Sequence, residues 1–522
     1  MIMARIETRL KKKSSFQKGG ITVPSYYLGI DQGTTLTTAL LADEKWNIVA
    51  KASKAHRQYY PAPGWVEHDP MEIYENCLAA AAAALAKIPN ATAGEIRGMG
   101  LDHQGETCMI WDKNSGEPIY RAIVWQDRRT ADAADDLKRR YGEKIHRVTG
   151  VLPDAYHSAT KFRWILDHVE GAQQRAERGE LLLGTLNTWL IWKLTGGTSY
   201  ATDPSSGSCT MLMDIHKTEW SPEILSLVGL SGCRLPEICD CNHIFGYTAP
   251  GAFPAPGIPI AGSLTDSPAG LIGGGCLGKG ILKTSYGTGS FMSLQTGGDA
   301  ILSDRGLFTS CLWRLSGKPY YRLFGSAYTA GAAVGWLKDG LGIIKDVGET
   351  EQMALSVPDT NDVCFVPAFS GLATPYWDQY ARGLFIGLTG GVTREHLVRA
   401  VLESMAYQVA NCYEAMRREF GQESPVMRAD GGMTENRFVM QFQADMLGIP
   451  VEVPEEKETA AFGAACLAGY TLGALPSLES VREFVRLRNV YEPRMSADER
   501  KERLSRWLEA VDRSRAWVKK GT

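Results

Sequence analysis

The feature that most constrains the fold of this chain is a short unit that occurs twice. In each copy a strand-like run enters a glycine–threonine turn, and a second strand-like run leaves it. The first copy spans 27–41 around the turn DQGTT at 31–35, and the second spans 280–294 around the turn YGTG at 286–289, about 255 residues later. Self-similarity of this kind indicates an internal duplication, with one unit opening each half of the chain.

The length and the pattern of the chain agree with two domains. Its 522 residues exceed what a single hydrophobic core usually holds. In the second half strand-like runs alternate with helical patterns, of which 393–420 and 438–447 are the clearest. Such alternation favours mixed α/β domains. The Pro- and Gly-rich stretch APGAFPAPGIPIAG at 249–262 is the candidate junction between the two.

We therefore predict three segments and a restricted set of partners. A disordered basic tail covers 1–25, a first domain 26–270 and a second domain 271–522. The net charge of −3 excludes a nucleic acid or a membrane surface as the expected partner. The longest run of small apolar residues, at 78–85, is far shorter than the roughly 20 residues of a membrane span. The eleven scattered cysteines fit reduced thiols, and hence a cytoplasmic protein.

Three glycine turns predict a nucleotide site. Backbone N–H groups and hydroxyls in DQGTT suit a phosphate, and Asp31 suits the hydration shell of Mg²⁺, although a hairpin with a capping aspartate fits equally well. YGTG repeats the arrangement, and DGG at 430–432 enters a helix N-terminus, where N–H groups and bare backbone can take a ribose or a base. Neither the phosphate-binding P-loop pattern nor the dinucleotide fingerprint is present in these turns.

Two further stretches contain candidate site residues. Asp266 lies among small residues in AGSLTDSPAG at 261–270. It is either a helix N-cap or a general base that takes the proton of an attacking hydroxyl. The polar run in GLDHQGET at 100–107 interrupts two apolar runs and is either a hairpin turn or a pocket wall.

Longer runs give the chain a resemblance to a known family. They are YHSATKFRWILDH (156–168), GLFIGLTGGVTREHLVRAVLE (383–403), PGWVEHDPMEIY (63–74), PIYRAIVWQDRRT (118–130), SGLATPYWDQYARG (370–383) and DGGMTENRFVMQFQADMLG (430–448). On these runs the chain resembles the FGGY family of carbohydrate kinases, and within it the glycerol kinases, from about residue 26 to about residue 491. The first two runs are similar to the two signatures of that family.

The resemblance implies an α/β fold of two actin-like, ribonuclease-H-like ATPase domains with Mg-ATP in the cleft between them. It implies transfer of the γ-phosphoryl group to a primary hydroxyl of a small polyol, with Asp266 as the catalytic base and Asp31 and Asp266 near the metal. The residues it places at the phosphates and the nucleoside are Gly33, Thr34, Thr35, Thr288, Gly289, Gly331, Gly432 and Asn436. Those it places at the polyol are Glu106, Trp125, Tyr156, Asp266 and Phe291.

The chain departs from the glycerol kinase pattern at three positions. Gly105 stands where an arginine grips the polyol, Ser267 replaces a glutamine, and Thr38 replaces an arginine after the first phosphate turn. A lost charge-assisted hydrogen bond is worth roughly 1.5–3 kcal/mol, which predicts glycerol binding weaker by about one to three orders of magnitude.

Two interpretations of Gly105 remain open. The glycine leaves a side-chain-sized space that a larger polyol or a ketose fills, such as erythritol, threitol, a pentitol or xylulose. Alternatively water or a neighbour such as His103 fills the space and glycerol remains the substrate. The residues that correspond to a feedback loop for sugar bisphosphates, 250–259, include no basic residue, so we expect no such feedback.

Two other function classes share the expected fold. Actin-like and chaperone ATPases use the nucleotide for assembly or client binding, and a non-catalytic relative would only sense a sugar. The aromatic and acidic cluster argues against the first, and Asp266 argues against the second. Members of the family form dimers or tetramers, so the resemblance implies a homodimer or a homotetramer.

Overall fold

The computed structural model describes residues 25–253 and 255–519. Except for the buried Ser25, the predicted basic tail lies outside the described residues. The strands are β1 (Tyr26–Gln32), β2 (Leu36–Asp43), β3 (Ile48–Ala55), β4 (Glu67–His68), β5 (Ile96–His103), β6 (Cys108–Asp112), β7 (Ala122–Ile123), β8 (Leu181–Thr185), β9 (Ala201–Thr202), β10 (Met213–Asp214), β11 (Glu219–Trp220), β12 (Glu237–Ile238), β13 (Gly246–Tyr247), β14 (Pro259–Thr265), β15 (Leu282–Tyr286), β16 (Ser290–Gly297), β17 (Phe308–Leu315), β18 (Lys318–Ala327), β19 (Cys364–Val366), β20 (Leu384–Ile386), β21 (Met427–Asp430), β22 (Val451–Pro454) and β23 (Leu487–Tyr491).

Helices connect these strands and cover the sheets. They are α1 (Pro70–Leu85), α2 (Ala131–Thr149), α3 (Ser158–His168), α4 (Ala172–Glu177), α5 (Leu186–Leu194), α6 (Pro204–Cys209), α7 (Pro222–Leu227), α8 (Asp266–Gly273), α9 (Gly331–Asp339), α10 (Glu349–Leu355), α11 (Arg394–Phe420), α12 (Arg437–Leu447), α13 (Thr459–Thr471) and α14 (Ala497–Ser514). Short 3₁₀ turns lie at Ala93–Glu95, Gly432–Glu435 and Leu478–Glu483. The two helices predicted at 393–420 and 438–447 are confirmed as α11 and α12.

The two halves repeat one sheet pattern. The first sheet has the order β13-β14-β5-β1-β2-β3, and the second has the order β17-β18-β16-β15-β21-β22-β23. In the first, β1 runs antiparallel to β2 and parallel to β5. In the second, β15 runs antiparallel to β16 and parallel to β21. Both glycine–threonine turns therefore close the same kind of hairpin at the centre of a sheet, which confirms the duplication.

Helix α13 follows the first six strands of the second sheet but packs on the first sheet. A Cβ atom on Gly29 of β1 would collide with the carbonyl of Ala461, and one on Gly100 of β5 would collide with that of Ala464. Where α8 crosses α13, Gly273 and Gly463 bring the two helix backbones into direct contact. Glycine is required at these positions because no side chain fits between the backbones. This packing fixes α8 and the start of α13 beside the space between the two sheets.

The end of the stretch predicted as the junction between the halves is a strand of the first sheet. Residues 259–262, at the end of the Pro- and Gly-rich stretch, belong to β14, which pairs with β5 in the first sheet. Helix α8 then runs without a break through the boundary predicted between 270 and 271. We propose that the junction is the segment 274–281, because a boundary there leaves both α8 and β15 intact.

The loop at 104–107 is not a hairpin turn. Strand β5, which precedes it, belongs to the six-stranded sheet, whereas β6, which follows it, belongs to a separate four-stranded sheet of order β4-β7-β6-β8. The loop therefore carries the chain from one sheet to another. Across residues 25–253 and 255–519, no helix combines the length and the apolar character needed to cross a membrane. Each of the eleven cysteines is a free thiol.

Candidate active site

A cavity of about 340 Å³ lies between the two large sheets. It is lined by many of the residues that the sequence placed at the metal, the phosphates and the polyol: Asp31, Gly33, Thr34, Gly105, Glu106, Trp125, Tyr156, Asp266, Ser267 and Phe291. The remaining predicted residues lie outside its lining: Thr35, Thr288, Gly289, Gly331, Gly432 and Asn436. The polyol and metal candidates are thus brought together in one space, and most of the nucleotide candidates lie beyond it.

The loop 104–107 is tied to the first phosphate turn. Gln104 donates from Nε2 to Oε1 of Gln32 at 3.2 Å and to the carbonyl oxygen of Gly33 at 3.1 Å. Its own Oε1 accepts a hydrogen bond from the Thr107 hydroxyl at 2.9 Å. All of these groups except Gly33 are buried. The hydrogen bonds make the loop one wall of the cavity and hold it in register with the turn DQGTT.

The side-chain-sized space expected at Gly105 is not there. A Cβ atom at this position would lie only 2.8 Å from Sγ of Cys209 and 3.3 Å from Cγ2 of Thr265. His103 does not fill the gap either, since its Nε2 pairs with the hydroxyl of Ser206 at 2.9 Å, away from the cavity. The space that the larger-substrate interpretation requires is therefore closed at Gly105, and the neighbour that fills it is not His103. The thiol of Cys209, at the end of α6, occupies the position.

Glu106 is a buried acid at the wall of the cavity. Burial raises its pKa to about 7, and the negative charge of Asp266 adds to the rise. Hydrogen bonds with Cys209 and Tyr156, together with the positive charge of Lys161, oppose it. The Glu106 side chain therefore changes its protonation state near neutral pH. The ionised form accepts hydrogen bonds from hydroxyls, and the protonated form is a neutral acid.

Aromatic rings from both halves form another part of the cavity wall. The ring centroid of Trp125 lies 5.8 Å from that of Tyr156 and 6.4 Å from that of Phe291, both in edge-to-face arrangement. Phe291 in turn stacks on Phe324 at 6.2 Å. The Trp125 indole N–H donates to the hydroxyl of Thr34 at 3.0 Å, so the wall is hydrogen-bonded to the phosphate turn.

Asp266 opens into the cavity as the first residue of α8. The N-cap position belongs to Thr265, so the N-cap reading of Asp266 is wrong. Its Oδ1 accepts the N–H of Ser267 at 2.6 Å. Loss of solvation within the cavity raises the pKa of the Asp266 carboxyl, while the Ser267 N–H and the charge of Arg322 limit the rise. A carboxylate with a raised pKa is a better proton acceptor than an ordinary one.

Asp31 shares the cavity with Asp266. Burial, followed by the charges of Asp266 and Glu458, raises the pKa of Asp31 to about 7, and the neighbouring Asp102 carboxyl opposes this rise. Within the described ranges, no three His, Cys, Asp or Glu side chains are grouped so as to hold a metal ion. Mg²⁺ is commonly held by one or two carboxylates together with waters and phosphate oxygens. The pair Asp31 and Asp266 fits that mode and not a closed protein cage.

The second phosphate turn is built onto a helix start. The N–H of Gly331, at the start of α9, donates to the carbonyl of Gly287 at 3.0 Å, and that of Ala330 donates to the carbonyl of Thr288 at 2.8 Å. A Cβ at Gly289 would lie 2.5 Å from the carbonyl oxygen of Ala327. The turn and the start of α9 therefore form one close-packed backbone surface.

The third turn joins the same surface. Gly431 has φ +91°, and a Cβ there would collide with the carbonyl of Tyr286 at the end of β15. At Gly432, by contrast, a Cβ would meet nothing within 4 Å. Asn436 is the N-cap of α12: its Oδ1 accepts the N–H of Val439 at 3.1 Å, and its Nδ2 donates to Thr350 at 3.2 Å. The polar atoms of Asn436 are thus engaged within the protein.

Sequence reasoning missed the basic side chains of the cavity. Lys283 is buried on β15, with Nζ 2.8 Å from Oδ2 of Asp430. Arg322 on β18 donates from Nη1 to the hydroxyl of Ser267 at 2.6 Å. Lys283 lies in the strand-like run that precedes YGTG but was not singled out there, and Arg322 lies in none of the quoted runs. The only signal was Asp430, the partner of Lys283, which opens DGG.

The departure at Thr38 has no direct bearing on the cavity. The side chain is buried in β2 and its hydroxyl pairs with that of Ser53 at 2.9 Å. Thr38 is not part of the cavity lining. An effect of this position on charge near the phosphates remains a prediction.

Comparison with known proteins places this geometry in a family. The sequence model of the FGGY family of carbohydrate kinases, N-terminal domain, matches residues 26–273, and that of the C-terminal domain matches 282–472. "Glycerol kinase 2" of Thermotoga maritima is 49% identical over 496 residues, covering 95% of this chain and all of that protein. The glycerol kinase of Caldanaerobacter subterraneus subsp. tengcongensis is 46% identical over 494 residues, covering 94% and 99%.

Solved structures agree with these matches. The crystal structure of Plasmodium falciparum glycerol kinase with ADP superposes with a TM-score of 0.89 at 34% identity, covering 95% of this chain and 99% of the other. The gluconate kinase of Lactobacillus acidophilus has a TM-score of 0.84 at 20% identity, covering 94% and 98%, a likeness of fold alone. The chain contains the two family domains in tandem, covers its relatives almost completely and repeats one sheet pattern in its two halves. This chain therefore belongs to the FGGY family of carbohydrate kinases.

Proposed function

We propose that this chain transfers the γ-phosphoryl group of ATP to a primary hydroxyl of glycerol, giving glycerol 3-phosphate and ADP. Membership of the family fixes the reaction class, a phosphotransferase with an alcohol group as acceptor. The relatives named glycerol kinase, at 44–49% identity, support the substrate. The observation that carries the proposal is that Asp266 shares one cavity with Glu106 and with the phosphate turn at Gly33 and Thr34.

Different side chains of the cavity bind glycerol and accept its proton. Glu106 accepts hydrogen bonds from glycerol hydroxyls, and the faces of Trp125 and Tyr156 cover its C–H surface. Asp266 takes the proton from the attacking hydroxyl. The hydroxyl oxygen forms a bond to the γ-phosphorus as the bond from that phosphorus to the ADP oxygen breaks.

Charge near the phosphates comes from several groups. The backbone N–H groups and hydroxyls of the turns at 33–35 and 287–289 suit the phosphates, and Lys283 adds a buried positive charge at the cavity floor. Asp31 and Asp266 would hold Mg²⁺ through its hydration shell. When bound, Mg²⁺ neutralises charge on the phosphates. Gly331, Gly432 and the backbone around Asn436 are the proposed nucleoside surface.

Glycerol is preferred over the larger polyols and ketoses for a structural reason. Cys209 and Thr265 occupy the position that the larger-substrate interpretation of Gly105 requires to be open. The relatives named glycerol kinase do not favour that interpretation either.

Location and assembly are further parts of the proposal. The net charge of −3 and the free cysteines support a cytoplasmic protein without a nucleic acid or membrane partner. The family resemblance supports a homodimer or a homotetramer.

The test is to follow ADP release and phosphorus NMR in the same reaction of purified enzyme with Mg-ATP. We expect ADP release to require glycerol and a new phosphomonoester signal to appear in equal amount. ADP release at the same rate without glycerol would instead support the actin-like or chaperone-like ATPase. Binding of glycerol with no turnover would support the sensor.

A further inference from the structure

We infer that Arg322 is the guanidinium of the polyol clamp, supplied by the second half of the chain in place of an arginine at position 105. This inference rests on the proposed function and names the side chain that grips the hydroxyls. Arg322 lies on β18 of the second sheet and lines the same cavity as Gly105, Glu106 and Ser267. Its residue surface is only 7% exposed.

Hydrogen bonds fix the position of the Arg322 guanidinium but engage only some of its N–H donors. Nη1 donates to the hydroxyl of Ser267 at 2.6 Å, and Nε donates to that of Ser310 at 2.8 Å. The plane lies against the ring of Phe324, with Cζ 4.7 Å from the ring centroid. A guanidinium has five N–H donors, and among the described residues only these two, on Nη1 and Nε, have a hydrogen-bond partner, on a side chain that lines the cavity.

Arg322 also lacks an ion-pair partner. In the described parts of the chain, no carboxylate oxygen lies within 4 Å of its nitrogens, although other buried arginines such as Arg129 and Arg399 have such partners. A buried charge with unused donors is costly unless a ligand satisfies it. The natural source of that ligand is the cavity onto which the group opens.

The charges around Arg322 specify the class of ligand. Burial lowers the pKa of Arg322, and its neighbours Cys209, Tyr156, Asp266 and Glu106 oppose this lowering. The cavity therefore contains carboxylates as well as the guanidinium. The carboxylates would repel a ligand that carries a negatively charged group. A hydroxyl accepts from Arg322 while donating to Glu106 or Asp266, so a pair of neighbouring hydroxyls satisfies both walls at once. An uncharged polyol is the fitting ligand.

One rearrangement accounts for two departures together. The short side chain of Ser267 accepts the Arg322 hydrogen bond that positions the guanidinium. Gly105 is required because Cys209 occupies the place of its Cβ, so no arginine fits there without movement of the thiol. The guanidinium lost at position 105 is thus recovered from another strand.

The rearrangement changes which parts of the protein hold the substrate. Glu106, Trp125 and Tyr156 belong to the first half, whereas Arg322 and Phe291 belong to the second. A polyol bound between Glu106 and Arg322 bridges the two halves. Polyol binding itself then favours the approach of the halves that excludes water from the phosphoryl group.

The test compares Arg322→Ala, Arg322→Lys and Arg322→Gln with wild type. The matched control is Arg314→Ala on the neighbouring strand β17, whose partly buried guanidinium pairs with Asp240 outside the cavity. We expect Arg322→Ala to raise the KM for glycerol about 10- to 1,000-fold with a KM for ATP within about threefold of wild type. Arg322→Lys recovers part of the loss, and the control leaves the KM for glycerol unchanged.

Glycerol-induced thermal stabilisation without ATP gives an independent readout. Wild type gains Tm with glycerol and Arg322→Ala does not. If Arg322→Ala does not fold, Arg322→Gln, which keeps most of the volume, takes its place in both measurements. A wild-type KM for glycerol in these variants overturns the inference and leaves the proposed function standing. A wild-type enzyme that phosphorylates no glycerol overturns the proposed function itself.

Discussion

Gln104 and Gln32 meet through a buried side-chain hydrogen bond of 3.2 Å, which joins the polyol wall to the first phosphate turn. Gln32 is the last residue of β1, and Gln104 directly follows the neighbouring strand β5. The N–H of Gln104 also donates to the Gln32 carbonyl at 2.9 Å. The loop at the proposed polyol site is therefore hydrogen-bonded to the turn at the proposed phosphate site. This relationship turns the stretch GLDHQGET from a connection between strands into part of the site.

Gln104→Leu tests this link. The substitution keeps the volume but leaves Oε1 of Gln32 without its donor and removes one of two donors to the Gly33 carbonyl, which costs about 1–3 kcal/mol. We expect a lower urea midpoint and a higher KM for both glycerol and ATP. Gln441→Leu, which removes hydrogen bonds outside the cavity, serves as control. A change in only one of the two KM values would contradict the link.

Asp266→Asn tests the base. Asparagine keeps the shape of the side chain but accepts no proton at neutral pH, so we expect kcat to fall by about 10²–10⁴. Glycerol binding, measured by calorimetry without ATP, should stay near that of wild type. Turnover near the wild-type rate would show that another group takes the proton.

Glycerol affinity should depend on pH through Glu106. Burial holds the pKa of this carboxyl at about 7, above its ordinary value of 4.5, so it is largely protonated at pH 6 and ionised at pH 8. An ionised carboxylate accepts hydrogen bonds from two hydroxyls, so affinity should rise with pH through about 7.

The measurement is the Kd for glycerol from tryptophan fluorescence between pH 5.5 and 8.5, in the absence of ATP. Asp31 and Lys161 also titrate in this range, at about 7 and about 8. Glu106→Gln separates their contribution, because it removes only the Glu106 titration. The account is contradicted if wild type and Glu106→Gln show the same pH profile.

Adjacent glycines of the third turn should respond differently to alanine. At Gly431, φ is +91° and a Cβ would collide with the carbonyl of Tyr286, so Gly431→Ala should lower the free energy of unfolding by about 1–3 kcal/mol. Gly432→Ala has open space and should leave stability within about 0.5 kcal/mol. If the nucleoside lies there, Gly432→Ala instead raises the KM for ATP. Equal loss of stability in both variants would contradict the difference in packing expected between Gly431 and Gly432.

The packing at Gly105 can be tested by a double substitution. Gly105→Ala places a Cβ 2.8 Å from Sγ of Cys209, so we expect lower stability and weaker glycerol binding. Cys209→Ala removes the thiol, and the double variant should recover most of the loss in stability. Additive effects of the two substitutions, measured by urea unfolding, would mean that the thiol does not fill the space.

Local patterns in the sequence predicted much of the fold. The strands flanking both glycine–threonine turns and the long helix α11 appear where apolar periodicity placed them. The frequent Pro and Gly of 249–262 suggested a junction, whereas residues 259–262 belong to β14. That strand forms through pairing with β5, a contact about 160 residues distant that no local pattern encodes.

The cavity was predictable only in part, for the same reason. Asp31, Glu106 and Asp266 stand in recognisable motifs, and the structure brings them together. Arg322 and Cys209 stand in ordinary strand and helix sequence, and they reach the cavity only because β18 and α6 are folded against it. The consequence of Gly105 depends on both of them, so the sequence alone predicted a space that the fold closes.

Glycerol is the substrate that we propose for this kinase. The most direct test is to measure kcat/KM with Mg-ATP for glycerol, erythritol, threitol, the pentitols and xylulose, using one preparation of enzyme. The account predicts that glycerol exceeds every other acceptor by at least about 100-fold. A tetritol, a pentitol or xylulose with a higher kcat/KM than glycerol would contradict it.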